Sequence, residues 1–229
     1  MTRRQTPGGP PCGPPAPPAG LRERRKQRTR EALLHTALGL FDSQGYDRTT
    51  VDEIVEAVEV SQRTFFRYFA NKEAAAFAVQ DAVESRFLGE LRRRPPAEAP
   101  FEALRRAALE SWKSEAGPVG SGVGAELQLR TYRMIESTPS LIAAHMRRSV
   151  ELERRTALLI AEREGLDVEA DPRPRVAVAA FAGVMRLTGQ LWGRRPDAGA
   201  DALRELTELH LDLLRPALVC SWRTDRRDL

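Results

Sequence analysis

The sequence predicts an all-α protein. Ala, Leu, Arg and Glu dominate the 229 residues, of which 6% are aromatic, and this composition favours helices over strands. Apolar residues recur at intervals of three and four, whereas no stretch alternates with a period of two. A hydrophobic fraction of 41% is enough for a core, so we expect one medium helical domain or two small ones.

The positive charge is concentrated at one end of the chain. The formal net charge is +4, but residues 1–30 alone contain eight Arg or Lys and a single acid. A local excess of positive charge is typical of a polyanion partner, because each neutralised phosphate releases counterions. A solvated basic tail is the alternative.

Composition argues against membrane, secreted and metal-binding classes. The longest apolar run, Val176–Met185, is half of the roughly 20 residues that span a bilayer, and the N-terminus lacks the apolar segment of a signal peptide. Cys12 and Cys220 lie near opposite ends, which predicts no disulfide framework or metal cluster and fits a cytoplasmic location. We therefore expect no cofactor and no membrane partner.

The N-terminal third predicts four helices after a disordered tail over residues 1–20, which hold seven Pro and four Gly. An apolar stripe defines the first helix, with the basic run 22–30 ahead of it. Thr50 with Glu53 forms a capping box for a short helix, and Ser61 caps a second short helix. Asn71 caps a longer helix. The stripe of the first helix is Leu33, Ala37, Leu38 and Phe41.

Five further helices are predicted from the C-terminal periodicity, with a Gly-rich break at 114–124 and a frayed tail at 220–229. Pro216 is expected to disturb the end of the last helix. The predicted helices are Phe101–Lys113, Glu126–Glu136, Ser140–Glu164, Pro172–Trp192 and Ala200–Arg215.

The two short helices suggest a helix-turn-helix, since a tight turn joins them and the second opens with polar and basic residues. The same region carries a longer pattern, made of Thr49 to Val51, Ile54, Val60 to Phe69 and Asn71 to Glu73. This pattern resembles the DNA-binding signature of TetR-family repressors. The likeness runs from about Lys26 to Glu73. It implies an N-terminal three-helix helix-turn-helix domain (residues 21–72), a C-terminal helical ligand-binding and dimerisation domain (residues 73–219), and a homodimer that releases a palindromic operator when a small molecule binds.

The resemblance also assigns the DNA contacts. Thr50 and the helix it caps face a phosphate, Gln62 suits adenine, and Arg63 suits guanine. Lys72 matches a phosphate-contacting lysine. Phe65 and Phe69 are expected to pack in the core. The full predicted set is Thr49, Thr50, Ser61, Gln62, Arg63, Thr64, Phe66, Arg67, Tyr68 and Lys72.

One position departs from the family pattern. Glu59 stands in the turn between the short helices, where the family usually has Gly with positive φ. A residue with a side chain costs on the order of 1 kcal/mol in that conformation. The acid also lies near the expected DNA, so we expect weaker binding or a slightly shifted turn.

The C-terminal half predicts a dimer interface and a ligand pocket. Two apolar stripes could pack against their symmetry mates as a four-helix interface. An intrachain core is the alternative. The predicted interface residues are Val176, Ala180, Gly183, Leu187, Leu206 and Leu213.

Two segments of the C-terminal half, Leu127 to Pro139 and Asp171 to Arg175, resemble the mycofactocin-regulator subgroup. That likeness implies a pocket for a small hydrophobic or acyl-type effector, with Arg130 and Arg133 near an anionic headgroup. The other predicted lining residues are Trp112, Leu129, Met134, Ile135, Met146, Phe181, Met185 and Trp192.

Two other classes of protein are alternatives to a DNA-binding regulator. An enzyme is not expected, because His35, His145 and His210 lie on separate helices and no catalytic motif is present. A helical DNA-binding or protein-interaction module without a ligand is the other alternative. A filled core among the middle helices would favour that module, and an open cavity would favour a ligand sensor.

Overall fold

The computed structural model describes residues 19–113, 125–195 and 198–219, and every regular element in these ranges is an α-helix, as predicted. Of the tail predicted over residues 1–20, residues 1–18 lie outside the described residues, as do the break at 114–124 and the tail at 220–229. Ala19 and Gly20, which were predicted to belong to the disordered tail, are instead the first residues of a helix. The helices are α1 (Ala19–Gln44), α2 (Val51–Ala57), α3 (Gln62–Tyr68), α4 (Lys72–Ala76), α5 (Ala78–Arg93), α6 (Pro100–Lys113), α7 (Ala125–Ser137), α8 (Pro139–Glu164), α9 (Arg173–Arg194) and α10 (Ala200–Val219).

Three helix boundaries differ from the predictions. Because α1 begins at Ala19, the basic run 22–30 is part of the first helix. The single helix predicted after Asn71 is divided at Phe77, whose φ of −91° and ψ of −1° depart from the helical values. The last helix continues through Pro216 for three residues, since a proline removes one hydrogen bond there without ending the helix.

The N-terminal helices enclose an apolar cluster that reaches into the C-terminal half. Leu33 of α1, Ile54 of α2 and Phe65 of α3 are fully buried in it, and Phe69 is nearly so, which confirms the core role predicted for both phenylalanines. Ile135 of α7 belongs to the same cluster. The cluster crosses residue 72, and the domain boundary there stays a prediction.

The C-terminal helices form a second buried cluster around α5, α6, α8 and α9. Leu88, Leu104, Ile160 and Phe181 represent these four helices in it. Trp192 anchors a smaller cluster with α7 and α10, and its indole N–H donates to the carbonyl of Gly199 at 3.0 Å. None of the described helices combines the length and apolar character needed to cross a membrane.

Candidate nucleic-acid interface and internal cavity

The predicted capping box at the start of α2 is present. The Thr50 hydroxyl accepts a hydrogen bond from the Glu53 N–H at 3.2 Å, and the Glu53 carboxylate accepts one from the Thr50 N–H at 2.7 Å. That backbone hydrogen bond is the main reason that the pKa of Glu53 lies below its usual value. The box fixes the start of α2, with the Thr50 hydroxyl also donating to Glu53 at 2.9 Å.

The turn from α2 to α3 places Glu59 at a φ of 55°, as the family pattern predicted. The N–H of Glu59 donates to the carbonyl of Glu56, and the N–H of Val60 donates to that of Val55 at 2.9 Å. This pair of bonds is a Schellman motif, which normally has glycine at the left-handed position. Its hydrogen bonds hold Glu59 in a strained conformation.

Helix α3 presents one polar face to solvent. Ser61 caps it by accepting from the N–H of Thr64 at 3.2 Å. The side chains of Gln62, Arg63 and Arg67 are exposed, whereas Phe65 behind them is fully buried. The buried ring fixes the rotation of the helix and thereby determines which residues face outward.

Neighbouring side chains orient several of the predicted contact residues. The Gln62 amide donates to the Asp52 carboxylate of α2. The Arg67 guanidinium lies 5.0 Å from the centre of the Tyr68 ring. Phe66 is 50% exposed and meets Phe65 edge to face, with ring centres 5.5 Å apart. Exposed aromatic surface of this kind is suited to contact with a thymine methyl or a sugar.

Two residues predicted to contact DNA face the protein instead. Thr49 is only 1% exposed, and its hydroxyl donates to the carbonyl of Gly45 at 2.9 Å. The Lys72 ammonium donates at 2.8 Å to the carbonyls of Tyr46 and Thr49 and lies 4.3 Å from the centre of the Tyr46 ring. An ammonium group engaged in this way holds the α1–α2 turn together.

The exposed N-terminal half of α1 supplies further positive charge. Residues 21–30 contain five Arg, one Lys and one acid, and most of their side chains are exposed. The Arg30 guanidinium lies 5.4 Å from the centre of the Phe69 ring, just after α3. This contact links the basic half of α1 to the end of the polar helix.

The C-terminal helices surround a partly open cavity of about 250 Å³. Six helices, α5 to α10, contribute to its wall, which is mostly apolar. Phe87 and Phe181 stack in this wall with ring centres 5.6 Å apart. The predicted lining residues found there are Trp112, Ile135, Phe181, Met185 and Trp192.

The other predicted lining residues lie elsewhere. Arg130 pairs with Asp42 of α1 at 2.8 Å, and Arg133 donates to the carbonyls of Gly193 and Arg195, also at 2.8 Å. Neither guanidinium lines the cavity, because each is drawn to a partner outside it. Met146 is 65% exposed, Met134 packs against the N-terminal cluster, and Leu129 packs with Trp192.

The cavity also contains polar residues that the sequence reasoning missed. Gln80 and Glu84 are one turn apart on α5, and this spacing was the available signal for a shared face. His145, Glu153 and Arg186 face them from α8 and α9. Helical spacing identifies such a face but not the helix that packs against it.

Two of these cavity residues have shifted pKa values. Burial raises the pKa of Glu84, and a hydrogen bond with Gln80 together with the charge of Arg155 only partly opposes this. Burial lowers the pKa of His145, whose Nδ1 lies 3.1 Å from the Gln80 amide nitrogen. The His145 ring also stacks against Phe77 at 6.4 Å, so a cavity residue touches the junction of α4 and α5.

An apolar surface remains on the outside of α9 and α10. Val176 is 66% exposed and Leu187 48%, and on α10 Leu213 is 49% exposed. Ala180 and Gly183 lie between the two exposed α9 positions and are partly exposed. Leu206, which belongs to the predicted interface set, packs partly against the Trp192 cluster.

Comparison with known proteins agrees with this architecture. Residues 33–79 match the family model of bacterial regulatory proteins of the tetR family, and residues 98–218 match that of the MftR C-terminal domain. The HTH-type transcriptional regulator TcmR of Streptomyces glaucescens is 43% identical over 224 residues, which are 96% of this chain and 93% of that protein. The chain belongs to the TetR family. It is therefore a DNA-binding transcriptional regulator and not an enzyme.

Solved structures show the same fold at low sequence identity. A complex of SmeT with triclosan is 20% identical, with a TM-score of 0.57, and covers 83% of this chain and 91% of its own. NalD, a secondary repressor of a multidrug efflux pump in Pseudomonas aeruginosa, is 21% identical, with a TM-score of 0.53. The likeness to NalD covers 82% of this chain and 96% of that one.

Proposed function

We propose that this TetR-family chain acts in the cytoplasm as a homodimeric repressor, which binds an inverted-repeat operator and releases it when a small hydrophobic molecule enters the cavity. The observation that carries the proposal is the exposed polar face of α3, set on a helix whose rotation Phe65 fixes. The second of the two short helices is the one that reads base edges in this class of domain.

Base reading is assigned to the first turn of α3. Arg63 is exposed and can form the bidentate pair with guanine, while Gln62 can pair with adenine if it exchanges its bond to Asp52 for one to the base. Ser61, Thr64, Phe66, Arg67 and Tyr68 surround these two residues. The exposed basic half of α1 and the N-terminus of α2 supply the phosphate contacts.

Dimerisation is assigned to the apolar surface of α9 and α10. Val176, Ala180, Gly183 and Leu187 follow one side of α9, and Leu213 continues the surface on α10. A two-fold axis through this surface would bring the same residues of two chains together. The resulting dimer presents two α3 helices, which is why the operator is expected to be an inverted repeat.

The cavity favours a ligand sensor over a module without a ligand. A chain used only for protein contacts gains nothing from an open cavity, since a filled core is more stable. The wall is mostly apolar with a few polar groups, as in typical small-molecule sites. A hydrophobic effector, acyl-type molecules included, is compatible with that wall.

A contiguous set of contacts leads from the cavity to the DNA-binding helices. Gln80 and His145 line the cavity, and the His145 ring stacks on Phe77 between α4 and α5. At the other end of α4, Lys72 binds the carbonyls of the α1–α2 turn. A ligand that displaces His145 would therefore move α4, the α1–α2 turn and the capped start of α2.

Selection from a random duplex library tests the DNA-binding part of the proposal. The wild-type chain should enrich an inverted repeat, and Arg63→Ala should relax one position in each half-site by about 1–3 kcal/mol. Arg154→Ala on α8, an exposed arginine outside the helix-turn-helix, is the control. An unchanged preference in the Arg63 variant would remove this residue from base reading.

Two further measurements test the dimer and the ligand response. Leu187→Glu should convert the dimer to monomers in sedimentation experiments, while exposed Leu158→Glu on α8 should not. Compounds that raise the melting temperature should also release the selected operator. Compounds that stabilise the chain and leave operator binding unchanged would contradict a ligand-released repressor.

A further inference from the structure

Glu84 is an unusual residue for an apolar cavity wall. Its Oε1 atom is buried and has no hydrogen-bond partner among the described residues. A buried acceptor left without a donor destabilises the fold, and burial raises the pKa of Glu84. Such a group calls for an explanation, and a ligand that supplies the missing donor provides one.

The charges that face the cavity favour a donor over an anion. Two carboxylates, Glu84 and Glu153, line it together with one guanidinium, that of Arg186. Arg186 is directed toward Glu153 at 3.9 Å. Burial lowers the pKa of His145; Glu136 opposes this shift and Arg186 adds to it, so the neutral imidazole is favoured. The cavity therefore has no cation free of a carboxylate neighbour among its described lining residues.

Trp112 adds a second requirement at the same cavity. Its indole N–H is buried and has no acceptor among the described residues. An indole nitrogen can only donate. A ligand oxygen that both donates to Glu84 and accepts elsewhere, as a hydroxyl does, has the chemistry that both orphaned groups need.

We propose that the effector is an apolar molecule, uncharged or cationic, that donates a hydrogen bond from a hydroxyl or amine to the carboxylate of Glu84. The inference rests on the proposed ligand response and makes it more specific, since it selects donor-bearing molecules over carboxylates. Glu84 determines the specificity, and the apolar wall provides the area of contact.

Three naphthalene derivatives with the substituent at the same ring position test this class. Naphthol carries a donor, methoxynaphthalene lacks it, and naphthoate is an anion. Binding to the full-length chain is measured by calorimetry and by fluorescence of the tryptophans at neutral pH. Naphthol should bind about tenfold more tightly than methoxynaphthalene, and naphthoate should bind most weakly. Equal binding of the first two, tightest binding of naphthoate, or no binding of any probe would overturn the proposal.

Variants of Glu84 attribute the preference to this side chain. Glu84→Leu should abolish the difference between naphthol and methoxynaphthalene. Glu84→Gln keeps an acceptor without the charge, so it should retain the naphthol preference and bind naphthoate more tightly. Glu90→Gln, on the same helix outside the cavity wall, should leave the order unchanged. A naphthol preference that survives in Glu84→Leu would show that another group recognises the donor.

Operator release measured with the same probes separates this inference from the ligand response. If the naphthol preference depends on Glu84 but naphthol does not release the operator, the inference about Glu84 is supported and the proposed ligand-induced release is wrong. If another compound releases the operator and the naphthol preference is absent, ligand-induced release is supported and the inference about Glu84 is wrong.

Discussion

The helix-turn-helix and the cavity differ in how their functional side chains come together. The exposed polar face of α3 comes from a single helix of seven residues, whereas the cavity wall comes from six helices spread over residues 79–203. A site on one short helix follows from local spacing and caps. A site between helices depends on packing, so a single sequence identifies its residues far less completely.

The largest expected effect concerns Lys72, which makes a tertiary contact within the helix-turn-helix region. Lys72→Ala removes an ammonium that binds carbonyls of the α1–α2 turn, so the free energy of unfolding should fall by about 2–3 kcal/mol. Denaturant titration measures this loss. The dependence of DNA binding on salt should keep its slope.

Lys26→Ala is the matched control for Lys72. Lys26 is exposed on the basic half of α1 and forms only a surface pair with Glu23 at 3.4 Å, so its loss should hardly alter unfolding. It should reduce the salt slope by about one unit if it contacts phosphate. The reverse pattern, a reduced slope and unchanged stability for Lys72→Ala, would restore the phosphate role that the sequence suggested.

The next largest effect on stability is expected at Gly193, in the C-terminal half, where packing between helices determines the structure. A Cβ at Gly193 would lie 2.8 Å from a Tyr132 ring carbon, so Gly193→Ala should lower the free energy of unfolding by about 1–3 kcal/mol. Gly39→Ala in α1 meets no heavy atom within 4 Å and should raise it by about 0.5–1 kcal/mol. Thermal melts of both variants check the contrast, and stabilisation by both would mean that Tyr132 moves away freely.

Glu59 tests whether local strain weakens the helix-turn-helix. Glu59→Gly relieves the positive φ and should raise the free energy of unfolding by up to about 1 kcal/mol. Glu59→Gln removes only the charge, so it should strengthen DNA binding at low salt without altering unfolding. If both variants behave alike in denaturant titrations, backbone strain at this turn is not a significant cost.

The smallest effect concerns the capping box of α2. The pKa of Glu53 is lowered in the folded state from 4.5, so its stabilisation is complete above pH 4.5 and is lost as the pH falls through the lower folded value. Glu53→Gln should therefore unfold with a shallower dependence on acid below pH 4.5. Glu56→Gln on the same helix is the charge-matched control, and identical acid titrations for the two variants would exclude the capping carboxylate as the cause.

Prediction from the sequence was most complete where caps and spacing specify structure. The capping box of Thr50, the cap at Ser61 and the burial of Phe65 were predictable in this way, and the family resemblance implied the positive φ at Glu59. The break at Phe77 was not, because no Gly or Pro marks it in the sequence, and the Phe77 ring stacks against His145 of a distant helix. Local propensity carries no information about such a partner.

For the cavity, the sequence indicated the apolar part of the wall better than the polar part. Trp112, Phe181 and Met185 were among the lining residues predicted for the pocket that the family resemblance implied, and they line it. Arg130 and Arg133 were predicted from their charge, but each binds a partner outside the cavity. Burial of an apolar side chain is favourable in almost any packing, whereas the direction of a charged side chain depends on where its partner lies.

The sequence by itself determined most of the helices, their caps and the order of polar and apolar faces, because hydrogen bonds and spacing within a few residues specify these features. The tertiary structure decided which of those faces meet. It placed Lys72 against the α1–α2 turn and left the Oε1 atom of Glu84 without a donor in an apolar cavity. Such outcomes depend on the packing of helices that are distant in sequence, and no local pattern encodes that geometry.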